Sequence, residues 1–190
     1  MSRQLDSTGL KRLHRAWRRR PAEPLGLVLD HVQSPYNVGA IVRTAAAFNV
    51  DHLWLVGDTA SPTEAKASKL ALGTQRYVDW TWHDTAPEAL AAAREDGYRI
   101  VGVELTDDAV PLDRVQVVGP MALVLGHEDR GLSPAALADC DEVSFIPQLG
   151  KVGSLNVATA AAIAVYEVRR RAWAANAVGE AGRPGLASGG

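Results

Sequence analysis

Three short segments of the sequence combine helix-starting residues, glycines and charged or amide side chains, as ligand-binding loops do. The first covers residues 30–44 and contains Asn37 and Arg43. An arginine with apolar neighbours on a predicted helix either pairs with a carboxylate or binds a phosphate through its planar guanidinium. Asn37 is a good helix N-cap, and Gly39 permits close approach of another backbone or a ligand. A capped helix with a structural ion pair remains the alternative for this segment taken alone.

The second segment covers residues 123–134 and surrounds a charged cluster with two glycines, directly after an apolar run. Gly126 lets a ligand approach the chain closely. Glu128 is predicted to orient a substrate or to bond Arg43, whereas the two residues after Glu128 are expected to face solvent. A serine–proline pair at residues 133–134 then predicts the start of a helix.

The third segment covers residues 146–158, where a predicted strand leads through a glycine-bearing loop into a helix of small residues. Ser154 and Asn156 lie at the predicted helix start. Side-chain donors and free backbone N–H groups at such a position bind carboxylates or phosphates. Capping of the helix by Ser154 is the simpler explanation and is compatible with binding. The alanine-rich stretch 158–164 permits close approach of another helix, in a dimer or within the chain.

The hydrophobic pattern predicts the elements that position these segments. Strands are predicted at residues 25–29, 52–56, 99–103, 121–125 and 143–146, and helices at 5–17, 37–48, 63–70, 85–95 and 155–173. Strands alternating with helices indicate a three-layer α/β domain around a parallel sheet. Ligands bind outside the carboxyl ends of such strands, where the unusual residues cluster. We expect one domain over residues 21–176, a basic helical extension over 1–20 and a disordered tail over 177–190.

Composition narrows the class of protein. The 190 residues are 47% hydrophobic, which fits one soluble domain, without an apolar run long enough for a membrane span or a signal peptide. Cys140 is the only cysteine, so an intrachain disulfide is excluded and a cytoplasmic protein with an inert, packed thiol is expected.

Charge is distributed unevenly along the chain. Residues 1–20 hold seven basic residues and one acidic residue, although the whole chain has a net charge of −2. Such an arm suggests a polyanionic partner, and a solvated, frayed helix is the alternative.

Several common ligand motifs are missing from the sequence. It has neither the dinucleotide pattern G-x-G-x-x-G nor the P-loop pattern G-x-x-x-x-G-K-[ST]. Its five histidines are scattered, without a second ligand three or four positions away, so no metal site is expected. These absences argue against nicotinamide enzymes, nucleotide triphosphatases and zinc hydrolases.

Together the three segments resemble the three motifs of the SPOUT-class RNA 2′-O-methyltransferases, and specifically the TrmH-like group. The matching patterns are N-x-G-x-x-x-R, G-x-E-x-x-G and I-P-x-x-G-x-x-x-S-L-N-V, and the resemblance covers residues 25–171. The second and third segments look closest to those of the tRNA D-loop guanosine enzymes. The resemblance implies a C-terminal trefoil knot, a homodimer with the site at the subunit interface, and S-adenosylmethionine as cofactor. It places the cofactor contacts at Val103, Gly126, Ile146 and Leu155.

The resemblance also implies roles in catalysis. Arg43 would orient an RNA phosphate and the ribose 2′-hydroxyl, and Asn37 would hold Arg43. Glu128 and Asn156 would line the site, and Ser154 and Asn156 would fix the loop and the methyl donor. Ribosomal RNA is the alternative substrate to tRNA. A non-catalytic RNA-binding protein, or a methyltransferase acting on a small molecule or a protein, would share the fold.

Overall fold

A single parallel sheet forms the centre of the molecule. The computed structural model describes residues 3–20 and 22–181 of the chain, with side chains up to residue 175. Over this part the strands are β1 (Leu25–Asp30), β2 (His52–Val56), β3 (Asp79–His83), β4 (Arg99–Val103), β5 (Val110–Pro111), β6 (Met121–Leu125) and β7 (Glu142–Phe145). They lie in the order β3-β2-β1-β6-β4-β7-β5, and every pair of neighbours is parallel.

Helices connect the strands and cover both faces of the sheet. They are α1 (Ser7–Arg18), α2 (Pro35–Ala47), α3 (Ala65–Ala71), α4 (Ala86–Glu95), α5 (Pro134–Ala138) and α6 (Val157–Ala181), with short 3₁₀ turns at Thr74–Tyr77 and Leu112–Arg114. Among the residues that the structure describes, no helix has the length and apolar character needed to cross a bilayer.

The core has two parts, one on each face of the sheet. In β1, Leu27 and Leu29 pack with Ile41 of α2 and with the apolar side of α6, whereas Val28 packs on the opposite face against Leu90 of α4. All of these side chains are fully buried, and each such aliphatic residue contributes about 1.5–3 kcal/mol by leaving water. The predicted three-layer α/β domain with a parallel sheet is confirmed.

Two strands were absent from the sequence-based prediction. β3 is an exposed edge strand whose Trp80 and Trp82 alternate with polar residues, a period-two pattern that indicates a strand. β5 has two residues, which is too short for any periodic signal. Each of the five predicted strands is present, with ends shifted by at most one residue.

The predicted and observed helix ends differ by one or two residues in most cases, and two of the differences bear on other predictions. Helix α2 begins at Pro35, with the Ser34 Oγ accepting a hydrogen bond from the Asn37 N–H at 3.5 Å. The prediction that Asn37 caps this helix is therefore wrong; Ser34 does so, because proline suits the first helical position. Helix α6 continues to Ala181, beyond residue 177 where the disordered tail was expected to begin. The remainder of that tail, 182–190, lies outside the described residues.

One buried arginine fastens the last helix to the rest of the domain. Arg169 is only 4% exposed, and its guanidinium donates to the backbone carbonyls of Phe48 (2.9 Å), Glu23 (2.6 Å) and Asn49. Two of these carbonyls directly follow the last residue of α2, whose C-terminal end carries the negative end of the helix dipole. Arg169 therefore fixes α6 against α2, and both helices carry site residues.

Candidate functional site

A cavity of about 460 Å³ opens at the carboxyl edge of the sheet, as expected for a parallel α/β domain. Its walls come from the loops after β4, β6 and β7 and from the beginning of α6. All four predicted cofactor contacts line it: Val103, Gly126, Ile146 and Leu155. Glu128 and Ser154 line it as well, whereas Asn37, Arg43 and Asn156 do not. The cavity therefore brings residues from distant segments of the chain together.

The loop after β6 is folded back on itself so tightly that only glycine fits at two positions. His127 and Gly131 form a pair of backbone hydrogen bonds of 3.0 and 2.9 Å across the loop. A Cβ atom on Gly126 would lie 2.2 Å from the carbonyl carbon of Gly131. Gly131 itself has φ +69°, a left-handed conformation that glycine adopts without strain. These glycines thus serve the close approach of two backbones.

Glu104 fixes the same loop from the side of β4 and was not among the predicted site residues. Its Oε2 accepts a hydrogen bond of 3.0 Å from the Leu132 N–H, and its Oε1 accepts one of 2.8 Å from the Leu105 N–H. A Cβ atom on Gly131 would lie 2.1 Å from Glu104 Oε2. Its position directly after Val103, at the end of a predicted strand, was the available signal in the sequence.

Glu128 joins the loop after β6 to the loop after β1. Its Oε1 accepts hydrogen bonds from the Asn37 Nδ2 (2.8 Å) and the Ser34 N–H (3.0 Å), and its Oε2 accepts one from the Gln33 N–H (3.3 Å). Partial burial by itself would raise the pKa of Glu128, but these donors outweigh burial and lower it. Glu128 is therefore an ionised carboxylate at neutral pH.

Asn37 and Asn156 extend this network to the last helix. The Asn156 Nδ2 donates to the Asn37 Oδ1 at 3.0 Å. The Asn156 Oδ1 accepts hydrogen bonds from the N–H groups of Ala158 (3.0 Å) and Thr159 (3.3 Å), at the start of α6. Asn156 is thus the capping residue that the sequence assigned to Ser154, which is exposed at the cavity wall. The network Glu128–Asn37–Asn156 connects all three sequence segments.

Arg43 stands apart from this network. Its side chain is exposed, and it forms no hydrogen bond or ion pair with any residue in the described ranges. Six residues of helix separate it from Asn37 by about 9 Å along the axis, and the Asn37 amide is occupied by Glu128 and Asn156. Within one copy of the described chain, neither Asn37 nor Glu128 forms a hydrogen bond or ion pair with Arg43. The hypotheses that Asn37 holds Arg43 and that Glu128 bonds it stay predictions.

A second polar cluster, absent from the sequence-based prediction, fixes the beginning of the loop after β1. Asp30 is 1% exposed and accepts a hydrogen bond of 2.7 Å from the Ser133 N–H. The His31 Nδ1 and the Asp58 Oδ1 lie 2.5 Å apart, and Gln33 donates to the same carboxylate. The hydrogen bond from His31 lowers the pKa of Asp58. The cluster holds Gln33, and hence its backbone donor, in place for Glu128.

Two further expectations concern the cysteine thiol and a possible metal site. Burial, followed by the charge of Asp141, raises the pKa of the Cys140 thiol to about 11, which fits the predicted inert thiol. Within residues 3–20 and 22–181, no group of three or more His, Cys, Asp or Glu side chains is arranged to hold a metal ion.

An all-parallel sheet of this order, with a cavity at its carboxyl edge, defines the chain as a member of the SPOUT-type α/β class. Residues 24–166 match the SpoU rRNA Methylase family. The chain belongs to this family, which confirms the resemblance found in the three segments.

Two curated relatives show the range of names within the family. The chain is 34% identical over 150 residues to the 23S rRNA (guanosine-2′-O-)-methyltransferase RlmB of Acinetobacter baylyi, covering 78% of this chain and 60% of that protein. It is also 34% identical over 154 residues to the tRNA (guanosine(18)-2′-O)-methyltransferase of Escherichia coli K12, covering 81% and 66%. The chain thus spans about three fifths to two thirds of the length of these relatives.

Solved structures agree with this assignment. The AdoMet-bound rRNA methyltransferase of Sinorhizobium meliloti superposes with a TM-score of 0.74 at 27% identity, over 80% of this chain and 58% of that one. The TrmH/SpoU tRNA modifying enzyme of A. aeolicus superposes with a TM-score of 0.72 at 30% identity, over 94% and 90%. The fold therefore matches an enzyme described as an rRNA methyltransferase and one described as tRNA modifying.

Proposed function

We propose that this protein transfers a methyl group from S-adenosylmethionine to a ribose 2′-hydroxyl of RNA. The observation that carries the proposal is that one cavity is lined by all four predicted cofactor contacts and bordered by the Glu128–Asn37–Asn156 network. Relatives of the same family have names that specify guanosine 2′-O-methylation. A family member of similar fold has been solved with AdoMet bound.

The cavity fits S-adenosylmethionine in its chemistry. Residues of three loops line it, and one of them, Gln148, has a buried Oε1 with no hydrogen-bond partner among the described residues. Such an oxygen can accept a hydrogen bond from the amino group of adenine or of methionine. Val103, Gly126, Ile146 and Leu155 would hold the cofactor, which supplies an electrophilic methyl group on its sulfonium.

The protein's own contribution is to position the acceptor. A bond must form between the ribose 2′-oxygen and the methyl carbon while the sulfonium–methyl bond breaks, and the hydroxyl proton must leave. Arg43, exposed and without a partner in the described part of the chain, would bind the RNA phosphate and orient the hydroxyl. Because a guanidinium presents only hydrogen-bond donors and no acceptor, Arg43 acts as an anchor for the phosphate and is not assigned as the acceptor of that proton. Glu128, Asn37 and Asn156 would hold the loops, with Ser154 at the cavity wall.

Two features support the homodimer that the family resemblance implies. Helix α6 exposes Ile163 and Tyr166, an apolar surface that a second copy would cover. The unpaired Arg43 suits a site completed across a homodimer. The C-terminal trefoil knot is proposed on membership of the SpoU family. Light scattering during gel filtration would test the dimer.

We favour tRNA as substrate because the second and third segments look closest to the tRNA guanosine enzymes, with ribosomal RNA as the alternative. The two curated relatives are equally identical to the chain, so the substrate must be measured. Labelled S-adenosylmethionine is incubated with tRNA and ribosomal RNA transcripts, and the modified ribose is mapped. Cofactor binding without transfer to any cellular RNA would favour a non-catalytic RNA-binding protein.

Deletion of the basic extension 1–20, which precedes the proposed methyltransferase domain 21–176, tests whether the substrate is RNA rather than a small molecule or a protein. Helix α1 of this extension has no buried residue and carries its basic side chains on the face opposite Leu10, Leu13 and Trp17. Deletion of residues 1–20 should weaken RNA binding and flatten its salt dependence. Unchanged turnover would favour the other substrate classes. A single cysteine, which excludes an intrachain disulfide, fits a cytoplasmic location.

The role of Arg43 has its own test. Arg43→Ala should abolish methyl transfer while leaving S-adenosylmethionine affinity, measured by calorimetry, close to that of the wild type, because Arg43 does not line the cavity. Arg43→Lys keeps the charge but loses the planar guanidinium, so we expect partial activity. Wild-type turnover of Arg43→Ala would contradict the assignment.

A further inference from the structure

A second cavity lies outside the site described above, in a groove between the beginning of α2 and helix α3. Its volume is about 440 Å³, and its lining consists of Tyr36, Ala65, Lys66, Lys69 and Leu70. None of these residues belongs to the cofactor cavity or to the Glu128 network. The groove therefore needs an explanation of its own.

Close contact between two helix backbones creates this groove. A Cβ atom on Gly39 would lie 2.5 Å from the Ala67 carbonyl oxygen and 3.0 Å from the Leu70 Cβ. Only glycine allows α2 and α3 to pack so closely. The approach leaves two apolar side chains at the rim with substantial exposure, Tyr36 at 56% and Leu70 at 40%. An exposed aromatic ring beside an aliphatic side chain is a surface on which a planar ligand can stack.

The groove is also positively charged. Lys66 and Lys69 are both exposed, and the Lys66 Nζ lies 6.0 Å from the centre of the Tyr36 ring. Neither lysine forms an ion pair with a carboxylate in the described residues. Beyond residues 1–20 the chain carries a net negative charge, so two unpaired lysines beside an exposed ring are a local exception. A planar ligand bearing negative charge matches this combination.

The groove lies beside the residues proposed for RNA chemistry. Tyr36 immediately precedes Asn37, whose amide bonds Glu128 and Asn156. Arg43 follows Tyr36 by seven residues, almost two full helical turns, so both lie on the same exposed face of α2, about 10 Å apart along the axis. An RNA strand whose phosphate is bound by Arg43 would therefore bring a neighbouring nucleotide to Tyr36.

We propose that this groove binds an unpaired RNA base next to the methylated nucleotide, with the base stacked on Tyr36 and Leu70 and the flanking phosphates bound by Lys66 and Lys69. Aromatic rings combined with basic side chains are the usual surface for single-stranded nucleic acid. The inference rests on the proposed function, since it takes RNA as the substrate. It goes further by assigning a recognition surface for single-stranded RNA that combines Tyr36 of the first segment with helix α3, which lies outside the three segments.

The test measures RNA binding by the full-length protein. Two probes are used: a short unstructured RNA labelled with fluorescein, and the same strand annealed to its complement. Their binding is measured by fluorescence anisotropy. Tyr36→Ala should weaken binding of the single strand by roughly 5- to 150-fold, the range for loss of one stacked base. Tyr36→Phe should bind as the wild type does. Replacing both lysines by alanine should reduce the slope of log affinity against log salt by about 1.4.

Matched controls separate the groove from the surface in general. Tyr77 is also exposed, at 64%, and lies beside Arg76, so Tyr77→Ala serves as the control for Tyr36→Ala. The proposal is overturned by wild-type binding of Tyr36→Ala, by a loss in Tyr36→Phe as large as in Tyr36→Ala, or by an equal loss in Tyr77→Ala. A change in the molecular mass of Tyr36→Ala in solution would also overturn it, since the groove would then be a contact between copies.

Methyl transfer distinguishes this proposal from the proposed function. On an RNA that the wild type methylates, Tyr36→Ala should raise KM for RNA and leave the affinity for S-adenosylmethionine unchanged. If the wild type transfers the methyl group but Tyr36→Ala has an unchanged KM for RNA, the proposal for the groove is refuted and the proposed function stands. Absence of transfer by the wild type to any RNA would refute the proposed function, while the anisotropy comparison would still judge the groove.

Discussion

Replacement of Glu128 tests how the three sequence segments are held together. Its carboxylate accepts three hydrogen bonds, from the Asn37 amide and the backbone of Ser34 and Gln33. A hydrogen bond to a charged group contributes about 1.5–3 kcal/mol. Because Glu128 is only partly buried and the three bonds are not additive, we expect Glu128→Ala to lose about 2 kcal/mol in total. Glu128→Gln, which keeps one acceptor oxygen, should lose about half of that.

This loss is measurable by thermal and urea unfolding at neutral pH. For a chain of this size, about 2 kcal/mol corresponds to a decrease in Tm of roughly 4–8 °C. Asp129→Ala is the matched control, because Asp129 is the neighbouring, exposed carboxylate and its side chain accepts no hydrogen bond within the described ranges. We expect the control to change Tm little.

The pH dependence gives a second, independent measure. The pKa of Glu128 is lower in the folded protein than its ordinary value, so the ionised carboxylate stabilises the fold. This contribution is fully present above the ordinary glutamate pKa of about 4.3 and is lost as the pH falls through the folded-state pKa. The stability difference between wild type and Glu128→Ala should therefore narrow on acidification. Equal stability at pH 7, or a difference that persists unchanged in acid, would refute the reasoning.

Three further predictions concern other parts of the fold. Gly126→Ala places a Cβ 2.2 Å from the Gly131 carbonyl carbon and should lower the free energy of unfolding by about 2–3 kcal/mol. Calorimetry should also show weaker S-adenosylmethionine binding. A neutral effect on both stability and binding would contradict the tight loop. Arg169→Ala leaves three backbone carbonyls without their donor. The free energy of unfolding in urea should therefore fall by about 3 kcal/mol or more. A loss below half of that would mean that water replaces the side chain. Because the pKa of Cys140 is raised to about 11, its thiol should react with Ellman's reagent at least about 100-fold more slowly in the native protein than in denaturant. Rapid labelling of the native protein would contradict a packed thiol.

The sequence predicted the strands and the edge of the sheet more reliably than the contacts between side chains. Continuous apolar runs such as residues 25–29 and 121–125 are typical of strands buried on both faces, so five strands were predicted within one residue. The edge strand β3 was missed, since it has no continuous apolar run: Asp79 and Thr81 are polar and exposed. The cap of α2 was assigned to Asn37 rather than to Ser34, although both residue types cap helices equally well.

The candidate site was predicted as a set of residues and not as a geometry. Glu104 and the cluster of Asp30, His31 and Asp58 were not found, because their partners lie far away in the chain. Within one copy of the described chain, the expected contacts of Arg43 with Asn37 and Glu128 do not occur. A side chain's partner depends on which loops meet, and spacing along one helix cannot reveal it.

By itself the sequence determined the layered parallel sheet, the carboxyl edge as the place for ligands, and the family, because apolar periodicity and glycine-bearing motifs are local properties of the chain. Only the tertiary structure decided that Glu128, Asn37 and Asn156 form one network, that Asn156 caps α6, and that Arg43 stays exposed. The network depends on pairs of residues about 90 to 120 positions apart, which come within hydrogen-bond distance only when the strands pair in their order in the sheet. The groove beside Tyr36 arises in the same way, from the contact of α2 with α3 at Gly39.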